Sequence, residues 1–153
     1  MLPNSRHFVF QLRRQMMRSV RNGRGFSIVL TTLNGRTAQD TPSPDILRAA
    51  AGAAKDCLGD CDFVARLQGA SFGAIVLDEM NVTATDKAAQ VHEWLADIMA
   101  RKTRSNYTVA VSMTGYEGEL EVRDFLRRAQ RDLQASQELA EHPGQAPRAS
   151  EAA

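Results

Sequence analysis

The sequence predicts an α/β (α+β) domain with a ferredoxin-like, split βαβ sheet of mainly antiparallel strands and helices packed against it. Four segments repeat apolar residues at helical spacing, and four shorter runs have the alternating or β-branched pattern of strands. These segments follow one another in the order α-β-α-β-β-α-β-α, which is the order of a split βαβ sheet. The 153 residues are also enough for one domain with a sizeable core.

The composition is that of an ordinary globular domain. Hydrophobic residues make up 43% of the chain, charged residues 24%, and the formal net charge is +1. This charge gives no reason to expect a nucleic-acid or membrane partner, and no apolar run approaches the roughly 18 residues that span a bilayer. The N-terminus lacks a signal-peptide pattern, and two cysteines are too few for a disulfide framework. We therefore expect a cytoplasmic protein that binds neither nucleic acid nor membrane.

The first helix is predicted to start at Ser5, which can cap it, and to end at Asn22-Gly23, where a left-handed residue is tolerated. Its apolar stripe has a spacing of four residues and consists of Phe8, Leu12, Met16 and Val20. Residues 26–30 then read as a short buried strand.

Residues 34–42 are polar and turn-rich, and they predict a loop. Ser43 and the Pro-Asp pair after it are typical of a helix start, so a second helix is predicted over residues 46–58, with Gly59 as its stop. Two strands over residues 62–67 and 72–77, separated by a tight turn, predict a β-hairpin.

A third helix is predicted from Thr85, and its inner face contains Ala88, Val91, Leu95, Ile98 and Met99. Residues 107–113 alternate strictly and predict a strand, and a final helix is predicted from about Glu119. The composition then turns to Pro, Gly, Gln, Ala and Ser. The domain is therefore predicted to cover residues 1–140, and residues 141–153 are expected to form a disordered tail.

Several side chains are interpreted as parts of the core. Trp94 is expected at the margin of the core, and Cys57 and Cys61 are expected to be small buried apolar side chains. Three methionines are expected to fill the core: Met16, Met17 and Met113. The two arginine clusters are interpreted as solvated helix faces; they are Arg13, Arg14, Arg18 and Arg21, and Arg123, Arg127, Arg128 and Arg131.

Four segments resemble, in order, the motifs of one bacterial domain family. They are residues 2–8 (LPNSRHF, beside L-P-N-R-x-x-F), 62–72 (DFVARLQGASF, beside D-x-x-A-R-x-G-G-D-E-F), 107–113 (YTVAVSM, beside V-T-x-S-I-G-V) and 124–130 (DFLRRAQ, beside L-L-R-R-A-D). The matches cover about residues 2–137. On these residues the chain resembles GGDEF domains, the catalytic domains of bacterial diguanylate cyclases. The resemblance implies a fold of the GGDEF/nucleotide-cyclase palm type and a role in bacterial cyclic di-GMP signalling.

The same comparison implies that the catalytic signature is degenerate. In the family, two metal ions hold GTP between an Asp at the end of the first strand and an acidic residue in the hairpin turn. The first of these positions reads Thr31-Thr32 here, and the turn reads Gln68, Gly69, Ala70, Ser71 and Phe72, of which only the glycine and the phenylalanine keep the signature. Divalent ions require oxygen ligands, preferably anionic ones. We therefore expect no bound metal, no cofactor and no cyclase activity.

Other family positions have also changed. The family's guanine- and ribose-contacting segment has no convincing equivalent over residues 34–40, and its late phosphate-contacting Lys aligns with Gln137. Its inhibitory-site motif R-x-x-D reads Gly59 to Asp62, so the Asp remains and the Arg is lost. Because that Arg would bind guanine and phosphate in a forked geometry, its loss weakens the case for cyclic di-GMP binding.

Three functions remain open at this stage. The first is a catalytically inactive GGDEF-type domain that serves as a regulatory or protein-interaction module and binds an unidentified protein partner. The second is a non-catalytic receptor for cyclic di-GMP or GTP, in which Arg66 could contact phosphate, although Arg66 could equally be a solvated strand residue or pair with Asp62. The third is a divergent active cyclase, which the missing carboxylates disfavour most.

Overall fold

The computed structural model describes residues 2–35, 42–58, 61, 63–78, 83–102 and 107–141. The helices are α1 (Ser5–Asn22), α2 (Pro44–Leu58), α3 (Ala84–Lys102) and α4 (Val122–Glu141). The strands are β1 (Phe26–Gly35), β2 (Phe63–Arg66), β3 (Ser71–Leu77) and β4 (Tyr107–Gly115). The order α-β-α-β-β-α-β-α is the predicted one.

The four strands form one sheet in the order β2-β3-β1-β4, and every neighbouring pair is antiparallel. Each crossover helix connects two strands between which a third strand is inserted: α2 connects β1 to β2 across β3, and α3 connects β3 to β4 across β1. This is the split βαβ arrangement of a ferredoxin-like sheet. The predicted fold class is confirmed.

Alternate side chains of the central strands supply two cores on opposite faces of the sheet. The α2/α3 core contains Val29, Leu33, Ala54, Leu58, Phe72, Val91 and Leu95. The α1/α4 core contains Phe8, Leu12, Phe26, Ile28, Leu30, Ile75 and Phe125. Because β1 contributes to both cores, it holds the two layers of helices together.

The start of α1 differs from the prediction by one residue. Asn4 is the cap, since its side-chain Oδ1 accepts a hydrogen bond from the backbone N–H of His7 at 3.1 Å, and Ser5 is already the first helical residue. The predicted end at Asn22-Gly23 is confirmed, because Gly23 has a φ of 70° and its N–H bonds to the carbonyl of Ser19.

Strands β1 and β4 are longer than predicted, and α4 begins later. β1 continues through Asn34 and Gly35, which were assigned to a loop, because both residues pair with the start of β4. β4 likewise runs two residues beyond Met113, and α4 begins at Val122 rather than Glu119. Pairing with a neighbouring strand extends a strand through polar residues that the alternation pattern cannot assign.

The predicted core positions of Met17 and Met113 are wrong, and Trp94, expected at the margin of the core, is nearly half exposed. Trp94 is 46% exposed, Met17 58% and Met113 42%, whereas Met16 is buried as expected. Met17 lies one helical step from Met16, and this step turns its side chain away from the sheet. Met113 lies on β4, an edge strand with a strand neighbour on one side only. The tryptophan lies outside the stripe of α3 that contacts the sheet.

Some predictions fall on residues that the structure leaves undescribed. These are most of the predicted loop after β1, Gly59, Asp62 and the tail from residue 142. Cys57 is buried and Cys61 half-buried, and they form no disulfide with each other. Within the described residues, no helix is both long enough and apolar enough to cross a bilayer.

Candidate functional site

The signature turn, residues 68–72, leads from β2 into β3. The N–H of Leu67 donates to the carbonyl of Ser71 at 2.8 Å and closes the turn. Gly69 has a φ of 65°, in the left-handed region where glycine has no steric penalty. Gln68 and Gly69 are exposed, whereas Ala70 is half-buried. The retained glycine is therefore required by the backbone of the turn, whatever the neighbouring side chains do.

The turn lies directly against the last part of β1. The N–H of Leu33 donates to the carbonyl of Ala70 at 3.0 Å. In the antiparallel register, Thr32 is opposite Ser71 and Thr31 is opposite Phe72. The sheet thus brings together the two positions where the resemblance implies metal-binding acids, although they lie far apart in sequence.

Only one of the two threonines faces the signature serine. Ser71 Oγ donates a hydrogen bond to Thr32 Oγ1 at 2.9 Å. By strand alternation these two side chains lie on the α1/α4 face of the sheet, whereas Thr31 shares the opposite face with Val29 and Leu33. Thr31 is fully buried, and its Oγ1 has no hydrogen-bond partner among the described residues. Of the two sequence candidates, Thr32 is therefore the one at the site.

Asn34 extends the polar patch that Ser71 and Thr32 form, and the sequence pattern did not identify this residue. It lies two residues beyond Thr32 on the same strand face, and its Oδ1 accepts a hydrogen bond from Gln137 Nε2 of α4 at 3.3 Å. Asn34 Nδ2 is buried and has no partner within the described part of the chain. Gln137, which aligns with the family's phosphate-contacting Lys, thus faces the end of β1. The alternation of strand residues could have placed Asn34 here if its strand had been predicted to its full length.

Neutral groups line the cavity beside this patch. A cavity of about 280 Å³ lies between the start of α1, the turn and α4. Its polar lining residues are Ser5, Thr31, Gln68, Ser71 and Gln130, and the rest are apolar. The described residues contain no group of three or more His, Cys, Asp or Glu that could hold a metal. Hydroxyls and amides carry no charge, so the residues at this position do not fit the two-metal site that the resemblance implies.

Several motif residues that the chain retains have structural roles. The carbonyl of Pro3 accepts a hydrogen bond from the N–H of Arg66 at 2.8 Å, so the first motif segment, residues 2–8, is held beside β2. The ring of Phe8 lies over Gly73 so closely that an added Cβ would come within 3.0 Å of it. Phe72 is fully buried in the α2/α3 core. These contacts fix the fold independently of any chemistry at the turn.

Arg66 is the remaining candidate for ligand contact. Its backbone is fixed by Pro3 and by the pairing of β2 with β3, and its side chain is exposed at the end of β2 next to the turn. The expected pair with Asp62, and the remnant motif from Gly59 to Asp62, lie outside the described residues. The guanidinium is therefore placed where a bound anion could reach it, without any further element of a site.

Comparison with solved structures supports the architecture. The coiled coil and GGDEF domain of DgcB from Caulobacter crescentus, a complex with c-di-GMP, matches at a TM-score of 0.72 and 21% identity over 90% of this chain and 77% of that one. The diguanylate cyclase SiaD from Pseudomonas aeruginosa, solved with its activator SiaC, gives 0.68 and 22%, covering 90% of this chain and 55% of SiaD. The FimX GGDEF domain from the same organism gives 0.61 and 17%, with 88% of each chain covered. No protein-family model and no curated protein matches the sequence.

This is an α/β domain of the cyclase palm type. The fold is defined by the sheet order, the two layers of helices and the β2–β3 hairpin turn, which lies against the end of β1. More particularly, the chain has the fold of the GGDEF domains to which it is similar.

Proposed function

We propose that this chain is a catalytically inactive GGDEF-type domain that serves as a regulatory or protein-interaction module in bacterial cyclic di-GMP-related signalling. One observation carries the proposal. Where the fold brings the end of β1 against the signature turn, the facing side chains are two hydroxyls that bond to each other, Ser71 and Thr32.

The chemistry of phosphoryl transfer explains why this pair matters. Metal ions at such a site neutralise the triphosphate and polarise the attacking hydroxyl, and they are held there by anionic oxygens. A neutral hydroxyl pair offers no charge, and Ala70 offers no ligand atom. Neither Asn34 nor Gln137 adds a carboxylate nearby. The interactions that lower the barrier for the reaction therefore have no source among these side chains.

The fold itself is compatible with a role in regulation. The core and the retained motif contacts do not depend on the lost ligands, so a domain can keep this architecture without catalysis. SiaD, which has a similar fold, was solved in complex with an activator protein. We extend that precedent to this chain as a role exercised through protein contacts.

The direct test is incubation of the full chain with GTP and either magnesium or manganese, followed by chromatography. We expect no cyclic di-GMP, and an active diguanylate cyclase under the same conditions supplies the positive control. Product formation that rises in proportion to the concentration of this protein would contradict the proposal.

The exposed side chain of Arg66 at the site favours one second candidate, a receptor that binds cyclic di-GMP or GTP without turnover. Calorimetric titration with each nucleotide tests it, with Arg66→Ser as the variant and Arg48→Ser on α2 as the control for loss of one arginine. Micromolar binding that Arg66→Ser alone weakens would support the receptor. Absence of heat with both nucleotides would leave the interaction module.

A further inference from the structure

A second concave surface lies away from the signature turn. It is a groove of about 660 Å³ between the second half of α1 and the segment from Tyr116 to Arg123. We call it the α1 groove. Its apolar lining includes three strongly exposed side chains, since Met17 is 58%, Val20 70% and Leu120 93% exposed. Exposed apolar groups gathered around one groove are typical of interaction sites.

The wall of the groove that presents Leu120 is held in place by its neighbours. Tyr116 Oη donates to the carbonyl of Glu119 at 2.7 Å, and the Glu119 carboxylate pairs with Arg128 at 2.6 Å. The ring of Tyr116 packs against Phe26 and Phe125. Because this wall is already ordered, it would lose little further conformational entropy when a ligand contacts Leu120.

The other wall has unbalanced positive charge. Helix α1 contains five arginines and no Asp or Glu: Arg6, Arg13, Arg14, Arg18 and Arg21. All five are exposed, and none forms an ion pair within the described part of the chain. By contrast, on α4 both Arg123 and Arg128 pair with glutamates of the preceding segment. The cluster on α1 is a solvated face, as the sequence predicted, but its charge is not compensated.

Two of these arginines lie at the groove itself. Arg13 and Arg21 line it on either side of the apolar Met17 and Val20. The two glutamates of the opposite wall, Glu119 and Glu121, are already paired with Arg128 and Arg123. Next to this face, the guanidinium of Arg14 lies over the ring of Phe10 at 5.9 Å from the ring centroid. An occupant that matches this face must offer both carboxylates and apolar side chains.

We propose that the α1 groove binds an acidic amphipathic helix of a partner protein. Its apolar side chains enter the groove between Val20 and Leu120, and its carboxylates face Arg13 and Arg21. This inference deepens the proposed function, because it names a surface for the interaction module and the chemistry of its partner.

Shape and charge distinguish this occupant from two others. A second copy that inserted its own α1 into the groove would bring five arginines and no Asp or Glu towards Arg13 and Arg21, which repel them. A lipid bilayer presents a broad surface and would leave the concave groove between α1 and Leu120 unfilled. A helix fills a groove of this kind and can also place acids along its rim.

The experiment uses the full chain and a fluorescently labelled synthetic peptide of about five helical turns, with leucines on one face and glutamates elsewhere. Fluorescence anisotropy gives the dissociation constant at low and high salt. We expect saturable binding that weakens as salt rises, because the rim charges are exposed. A matched peptide with lysine in place of glutamate is expected not to bind.

Variants then locate the site. Met17→Ser/Val20→Ser is expected to weaken binding by about tenfold or more, and Leu120→Ser, at a position too exposed to affect folding, by a smaller factor. Arg13→Ser/Arg21→Ser is expected to weaken binding and to reduce its salt dependence. Two matched controls on the opposite face of the sheet, Trp94→Ser and Lys55→Ser, are expected to leave the dissociation constant within about twofold.

The contradicting outcomes are specific. Failure of the acidic peptide to bind, or equal losses in the groove and control variants, would overturn the proposal. Binding to vesicles of phosphatidylglycerol and phosphatidylcholine that the groove variants weaken, without peptide binding, would assign the surface to lipid. Dimers in size-exclusion chromatography that the groove variants abolish would assign it to self-association. Cyclic di-GMP production, measured on the same samples, would contradict inactivity but leave the groove result unchanged.

Discussion

Thr31 and Thr32 are adjacent residues with opposite surroundings. The hydroxyl of Thr32 bonds to Ser71 on one face of the sheet, whereas that of Thr31 is buried on the other face with no partner among the described residues. A buried hydroxyl without a partner loses its hydration and gains nothing in return. The same residue type therefore stabilises the fold at one position and destabilises it at the next.

Replacement of each threonine by valine, which has nearly the same shape, tests this contrast. We expect Thr32→Val to lower the free energy of unfolding by about 1 kcal/mol, because it leaves Ser71 without its acceptor. Thr31→Val is expected to raise that free energy by about 1 kcal/mol, because it removes an unsatisfied group. Urea denaturation of both variants measures the difference, and the reverse order of stabilities would show that the two side chains have been assigned to the wrong faces.

The signature turn gives a second prediction at this scale. Restoring an acid with Ala70→Glu is expected to produce no cyclase activity, because the facing Thr32 still supplies no carboxylate. Chromatography after incubation with GTP and manganese measures the product, and circular dichroism checks that the variant is folded. If the single variant recovered activity, the first metal position would have to lie elsewhere.

At the scale of elements, the segment between β4 and α4 depends on one carboxylate. Burial alone would raise the pKa of Glu119, but hydrogen bonds from backbone amides and from Arg128 outweigh this effect and hold that pKa below its usual value of 4.5. A group whose pKa is lowered by folding stabilises the folded state above its unfolded pKa. That contribution is lost as the pH falls through the folded pKa.

We therefore expect Glu119→Gln to be less stable than the parent chain near neutral pH, because Arg128 loses the closer of its two charged partners. The difference between the two free energies of unfolding should shrink as the pH falls below 4.5 and the parent's carboxyl becomes protonated. Urea denaturation across this pH range measures it. A difference that stays constant with pH would show that the ionised carboxylate contributes nothing to the stability.

At the scale of the whole molecule, the two cores share the sheet. Ile28 and Leu30 of β1 pack under α1 and α4, while Val29 and Leu33 of the same strand pack under α2 and α3. Loss of packing on one face therefore disturbs the strand on which the other face depends. We expect the domain to unfold as one cooperative unit.

Leu12→Ala in the α1/α4 core and Leu95→Ala in the α2/α3 core test this coupling. Both leucines are fully buried, so each substitution is expected to cost about 2–5 kcal/mol. Trp94 on α3 provides a local fluorescence signal, and far-ultraviolet circular dichroism reports all helices. For both variants the two signals should change at the same urea concentration. Separate transitions for Leu12→Ala would show that the two layers unfold independently.

The local pattern of residues was sufficient to predict the kind and order of the elements. Periodicity identified all eight, because one face of each must be apolar to pack. It underestimated the length of β1, which continues through Asn34. The polar residues at this strand end are held by pairing with β4, and a local pattern does not encode that pairing. It also placed Met17 in the core, because helical spacing alone does not define where the apolar face ends.

The sequence by itself determined the α-β-α-β-β-α-β-α fold and the absence of carboxylates from the signature turn, since both follow from residue types in order along the chain. Only the tertiary structure decided that Thr32 rather than Thr31 faces Ser71, and that Gln137 contacts Asn34 across 103 positions. The groove between α1 and Leu120 likewise required the fold. The physical reason is common to all three: strand register and helix docking bring together residues that are distant in sequence, and no local pattern records the distance between them.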